Sequence, residues 1–289
     1  MSYKIKTSML SAALAISLLS LVSCRKVIDL DLNTTEKQYV IEGSVAKRFL
    51  YRVPQGTTNP ELLKDSVWVK VSQTKDFNNS NAFSGTSGAE VTISDNGGTP
   101  VTLIESATKG VYLTNGIDAE IGHNYTLTVK VGGKTFTSSS VMPDSVVFRK
   151  VYQENLDVFR KIKIVANVEF TDPVGKGNAY RFVQYRNGVQ TAPIFVQNDD
   201  LTDGRNVVTQ LNSYSNTDDD EEEFKKGDNM LVEMQCITKP VYKFWFSLNV
   251  GATGSGQNAT PANPESNISG GAMGYFSAHT SQFKSLPIR

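Results

Sequence analysis

Two cysteines and two histidines are all that the 289 residues hold of the side chains that most often ligate zinc or serve as nucleophile and base. His123 and His279 lie far apart, and neither sits in a Cys/His cluster. The three or four close ligands of a zinc site are therefore missing. No Gly-x-Ser-x-Gly elbow presents a nucleophilic serine, and Gly254-Ser255-Gly256 falls in a loop. A Ser-His-Asp triad built from distant segments is the one hydrolytic arrangement that spacing leaves open. The chain is accordingly read as a non-enzyme, with no catalytic, cofactor or metal residue assigned. Net charge is missing too: 29 Lys and Arg stand against 29 Asp and Glu. That excludes the basic stripe of a nucleic-acid-binding protein.

What is present begins with a leader. Lys4 and Lys6 form a basic start, and Met9 to Val22 form an apolar run broken only by small serines. The run is shorter than the ~20 residues that span a bilayer as a helix. Such a segment reads as a removable signal peptide, residues 1–23. Leu21-Val22-Ser23-Cys24 resembles the bacterial lipobox, in which the Cys becomes the first residue of the mature chain and carries acyl groups. Cys24 is the expected lipidation site, and its acyl chains are expected to hold the protein at a membrane without a membrane-binding surface of its own. With Cys24 acylated, Cys236 has no disulfide partner and reads as a small buried apolar residue on a strand.

Alternating apolar and polar residues dominate the rest. Strands are expected at 27–32, 39–45, 67–71, 89–93, 101–105, 111–113, 125–131 and 134–138. Asp95-Asn96-Gly97-Gly98 and Gly132-Gly133 supply hairpin turns. Trp68 falls opposite the face of Val67, Val69 and Val71 and is the better candidate for an exposed aromatic. Met142-Pro143-Asp144 marks a boundary. Beyond it, strands are expected at 145–152, 162–170, 180–185, 229–237 and 270–279, with an edge at 284–288. Pro240 opens a short helix over 240–249, on which Tyr242, Phe244, Trp245 and Phe246 mostly pack onto the sheet. The expected fold is all-β: an immunoglobulin-like or transthyretin-like sandwich over 24–143, then a second β-rich, sandwich-like unit over 144–289 with one helix.

Asp218-Asp219-Asp220-Glu221-Glu222-Glu223 is the densest charge. Carboxylates of this kind suit Ca²⁺, but no EF-hand spacing is present, and like charges favour a solvated loop. Asn263-Pro264-Glu265-Ser266-Asn267-Ile268-Ser269-Gly270-Gly271 reads either as a binding loop, with Asn263, Ser266 and Asn267 offering polar groups, or as a structured loop held by its own side chains.

Several landmarks together resemble the Bacteroidota outer-membrane lipoproteins grouped as domain of unknown function family 4249. They are Cys24 with Lys26 to Leu32, Tyr39-Val40-Ile41-Glu42-Gly43, Gly88 to Ile93, Tyr125 to Val129, and Pro261-Ala262-Asn263-Pro264 with Ser266 to Phe276. The resemblance implies an accessory lipoprotein, associated with a TonB-dependent transporter or capturing a ligand. A structural or adhesion-type envelope protein is the alternative. No family catalytic residues carry over. Arg25 stands where relatives often carry an acidic residue of a surface-export signal, so the membrane face stays open between surface and periplasm. Recognition is expected in loops 52–64, 76–88 and 251–264. Asp65-Ser66-Val67 and Asp144-Ser145-Val146 resemble the Asp-Ser-aliphatic O-glycosylation site of these bacteria, at Ser66 and Ser145.

Overall fold

Three valines on one face and two polar-tipped side chains on the other define the first well-marked strand. In β2 (Ser66–Gln73), Val67, Val69 and Val71 are buried while Trp68 and Lys70 face away. The computed structural model describes residues 36–49, 65–75, 82–158, 161–212, 223–252 and 263–289. The strand expected at 27–32 lies outside them. Lys37–Lys75 and Asn79–Arg289 cluster as one compact unit.

β1 (Tyr39–Phe49) and β2 begin a series continued by β3 (Glu90–Asp95), β4 (Val101–Glu105), β5 (Val111–Thr114), β6 (Asn124–Val131) and β7 (Lys134–Val141). The β3–β4 turn is of the kind that needs two left-handed residues. Asn96 has φ 46° and Gly97 φ 72°, and the Gly98 N–H donates to the Asp95 carbonyl at 2.7 Å. The second series is β8 (Phe148–Val158), β9 (Lys161–Thr171), β10 (Ala179–Arg186), β11 (Val189–Gln190), β12 (Phe195–Asn198), β13 (Asn206–Leu211) and β14 (Asn229–Ile237). Helix α1 (Lys239–Ala252) and β15 (Met273–Pro287) follow.

The fold is all-β and sandwich-like. A 12-stranded sheet runs β11-β10-β14-β15-β1-β2-β5-β4-β3-β6-β7, with β12 also on β10, and a second sheet runs β13-β9-β8. The large sheet curls until β7 meets the chain leading into β15. Thr137 and Ser269 exchange backbone hydrogen bonds of 3.2 and 2.7 Å, and the Ala278 N–H donates to Ser140 Oγ at 3.0 Å. Ile41, Val69, Ile93, Tyr125, Leu127 and Phe276 fill the enclosed core. The second sheet covers one face of β10 and β14, burying Phe170, Tyr180, Phe182, Val232 and Met234. The Phe170 and Tyr180 rings lie 4.7 Å apart.

Pro143 separates the two cores along the chain until β15, which contributes Phe276 and Ala278 to the first and precedes Ile288 of the second. The two halves are therefore joined through a shared strand. β15 corrects the expected break between 270–279 and an edge at 284–288. It is one 15-residue strand at the centre of the sheet, parallel to β1 and antiparallel to β14. β12 and β13, in polar sequence, were not foreseen. α1 lies on the other face of the sheet. Val241, Phe244, Trp245 and Leu248 follow helical spacing and pack on Ala179, Ile237 and Tyr275.

Candidate functional site

The pleat that buries one face of each central strand must present the other, and here that outer face is polar at the middle of the sheet. Along β14, Met230, Val232, Met234 and Cys236 face the second core, so Leu231, Glu233 and Gln235 face away. Along β15, Phe276 and Ala278 point into the first core, leaving Tyr275, Ser277, His279 and Ser281 on the outer face. Register lines these up with β1, β2 and β10. Glu42 stands between Tyr275 and Lys70, Ser44 between Ser277 and Trp68, and Gln235 between Arg181 and Ser281.

The result is a groove of about 300 Å³, walled at one end by Trp245 of α1. Its floor is a connected polar network. Glu233 accepts hydrogen bonds from Ser281 Oγ (2.6 Å) and Gln235 Nε2 (3.0 Å) on one oxygen and from the Tyr185 hydroxyl (3.1 Å) on the other. Gln235 Oε1 accepts from Arg181 Nη1 at 3.1 Å. The Arg181 guanidinium lies 3.8 Å from the centre of the Trp245 ring, a cation–π arrangement. His279 Nδ1 and Ser277 Oγ are hydrogen-bonded at 3.1 Å.

Burial and charge set the ionisation of this floor. Burial pushes the Glu233 carboxyl up, but Arg48, His279 and the donors Ser281 and Gln235 together hold it below the ordinary carboxylate range. Burial raises the Tyr185 hydroxyl, reinforced by the Glu233 charge. Burial lowers His279 to about 4, against the attraction of Glu233, so its ring is neutral at pH 7. Burial likewise raises the Cys236 thiol, which is inert in the second core.

A model of the family described as Domain of unknown function (DUF4249) matches residues 56–285. The chain belongs to this family. No curated protein matches it. The DUF4249 match takes in Trp68, Arg181, Glu233, Trp245 and His279 of the groove and stops short of Cys24.

In this DUF4249 chain the expected site residues fall elsewhere. Cys24 lies outside the described residues, as does all of the acidic run 218–223 except Glu223, whose backbone carbonyl accepts from Arg186 Nη1 at 2.7 Å. The two expected O-glycosylation serines are half-buried. Ser66 Oγ is buried, and Ser145 Oγ accepts a hydrogen bond from Gln282 Nε2 at 2.8 Å. Of the two readings of the loop at 263–271, the hydrogen bonds follow the structured one. The Asn267 amide donates to the Phe276 carbonyl (2.8 Å) and accepts from the Phe276 N–H (2.9 Å). Ser266 Oγ donates to Ala272 O and accepts from the Ile268 N–H, both at 3.1 Å. These groups are spent on the loop itself, and Asn263 alone of the three is exposed without such a bond. Loop 52–64 lies outside the described residues, as do 76–81 and 253–262 of the other two expected recognition loops. His123 is paired with Asp95 at 2.8 Å, far along the sheet from His279.

Sequence reading missed two groups. Glu233 and His279 carried a signal, being ionisable residues inside otherwise apolar or small-residue strands. Asp172, Asp199 and Asp203 are the second group. Their carboxylate oxygens lie within 4.8 Å of one another, the one set among the described residues spaced to hold a metal ion. Hydrogen bonds already engage each of them. Asp172 accepts from the Tyr180 and Thr202 hydroxyls, Asp199 from the Gly177 and Asn178 N–H groups at 2.6 and 2.8 Å, and Asp203 from the Gly175 N–H at 2.7 Å. The trio pins the turn between β9 and β10. A wider cleft of about 1140 Å³, lined by Val147, Val174 and Ile237 together with Asp144, Arg149 and Lys239, lies at the junction of the two cores.

Proposed function

We propose that this chain is a lipid-anchored outer-membrane accessory lipoprotein of Bacteroidota type that captures a small polar ligand, working beside a TonB-dependent transporter. The observation that carries the reading is the groove. Its buried network of Glu233, Gln235, Arg181, Tyr185 and Ser281 sits on rigid central strands, framed by Trp68 and Trp245. Polar side chains are costly to bury on a sheet unless fully hydrogen-bonded. A few convergent polar groups in a concavity with aromatic walls are the usual form of a small-molecule site. The lipobox-like sequence at Cys24 supports the anchor.

The test is recovery of the protein from native membranes. Association with a TonB-dependent transporter, together with a small molecule released on denaturation and lost in Trp245→Ala, supports the reading. Recovery with only structural envelope proteins and no released molecule favours the adhesion-type alternative. Cys24→Ser should leave an unacylated protein that no longer partitions with membranes; full retention there would overturn the anchor.

A further inference from the structure

We propose that Arg181 makes the groove a site for a small monocarboxylate, held through two parallel N–H···O bonds to the guanidinium. This inference rests on the groove being the capture site. Five charged side chains line it: Glu42, Arg48, Lys70, Arg181 and Glu233. Glu233 has its compensation within the protein. Glu233 takes three hydrogen bonds and feels the charge of Arg48. Glu42 stands directly across the β1–β2 ladder from Lys70. Lys70 lies over the Trp68 ring, and Arg181 is a second cation without a carboxylate partner among the described residues. Its one hydrogen bond goes to the neutral Gln235. Gln235 lies between it and Glu233, so the negative charge below is already consumed by other donors.

The guanidinium is also oriented in advance. One face lies on Trp245, and Nη1 is fixed by Gln235, which itself donates to Glu233. A planar fork immobilised in this way loses little freedom when a carboxylate docks on its open edge. The groove carries a surplus of one positive charge, which matches a monoanion. A phosphate dianion would face Glu42 and Glu233 with too few cations. The volume of about 300 Å³ is in the range of a small-molecule site.

The acylated full chain in detergent is titrated with N-acetylglycine, its uncharged analogue N-acetylglycinamide, and inorganic phosphate, followed by calorimetry and saturation-transfer NMR. N-acetylglycine should bind about tenfold or more tightly than the amide, the share of one charge-assisted pair, and phosphate should bind more weakly than N-acetylglycine. Arg181→Gln should erase the preference for the acid, Arg181→Lys should keep part of it, and Arg186→Gln, on the same strand, should leave it intact. Unfolding midpoints of the three variants confirm that each is folded. The proposal is overturned if N-acetylglycine fails to bind, if the amide or phosphate binds as well, or if folded Arg181→Gln retains the preference. Equal binding of acid and amide that is lost in Trp245→Ala would remove the carboxylate assignment while leaving the capture reading standing.

Discussion

Acid should weaken this fold through one side chain. His279 is buried in the middle of β15, and its folded-state value of about 4 lies below the ordinary 6.5. Between those values the unfolded chain binds a proton that the native state refuses. Unfolding therefore takes up a proton, and stability falls as pH falls through that window. At pH 5 the unfolded histidine is one and a half pH units below its midpoint, and each unit is worth ~1.4 kcal/mol. The native state should lose about 2 kcal/mol between pH 7 and pH 5 on this account. Glu233 faces His279 and favours its proton, while Arg181 and Arg48 oppose it. Glu233 is itself held below the carboxylate range, so it stays ionised across this window. The assay is urea unfolding followed by tryptophan fluorescence at both pH values, on wild type and His279→Gln. His123 is common to both proteins and cancels in the difference. Wild type should lose about 2 kcal/mol more than the variant over this range. Equal losses would refute the assignment of a buried, neutral His279.

Gly274→Ala should cost well over ~3 kcal/mol in the same assay, because its φ is +110° and a Cβ would sit 1.9 Å from the Ile41 carbonyl oxygen of β1. Gly271→Ala, at φ +87° with open space around it, should cost only the ~1–2 kcal/mol of backbone strain, and equal costs at the two positions would contradict the β1–β15 packing. Asn267→Ala removes both bonds to the Phe276 backbone and should lower stability by ~1–3 kcal/mol without altering capture by the folded fraction, read from unfolding midpoint and ligand titration together.

Local features were the legible ones. Asn96-Gly97 prescribes its own turn, Val67-Val69-Val71 its own buried face, and Pro240 the start of α1, since each depends on residues a few positions apart. Trp68 was readable as outward-facing for the same reason. β15 was not readable as one strand, because the polar Thr280-Ser281-Gln282 looks like a break until β1 and β14 are seen on either side. β13 was hidden because only Val207 and Leu211 of its six residues are buried. The groove brings Glu42, Lys70, Arg181, Glu233 and His279 together through the registers of five strands, and no window of sequence contains that juxtaposition. The tripeptides at Ser66 and Ser145 do not reveal their surroundings: Ser66 Oγ is buried, whereas Ser145 is half-buried at the wider cleft.

The pairing of Val40 with Met273 and Phe49 with Gln282 has a kinetic side. β1 is made long before β15, one of its two sheet neighbours. Until Met273–Pro287 is made, β1 has an open edge, the first core lacks Phe276, and β14 has one exposed flank. Loop closure over nearly the whole chain must precede the contacts that reward it, which makes for slow folding of high contact order. The intermediate that waits carries unpaired strand edges, the species most prone to wrong partners. Before β15 arrives the fold would thus remain unlocked, and Met273–Pro287 would act as the bolt that closes both halves at once.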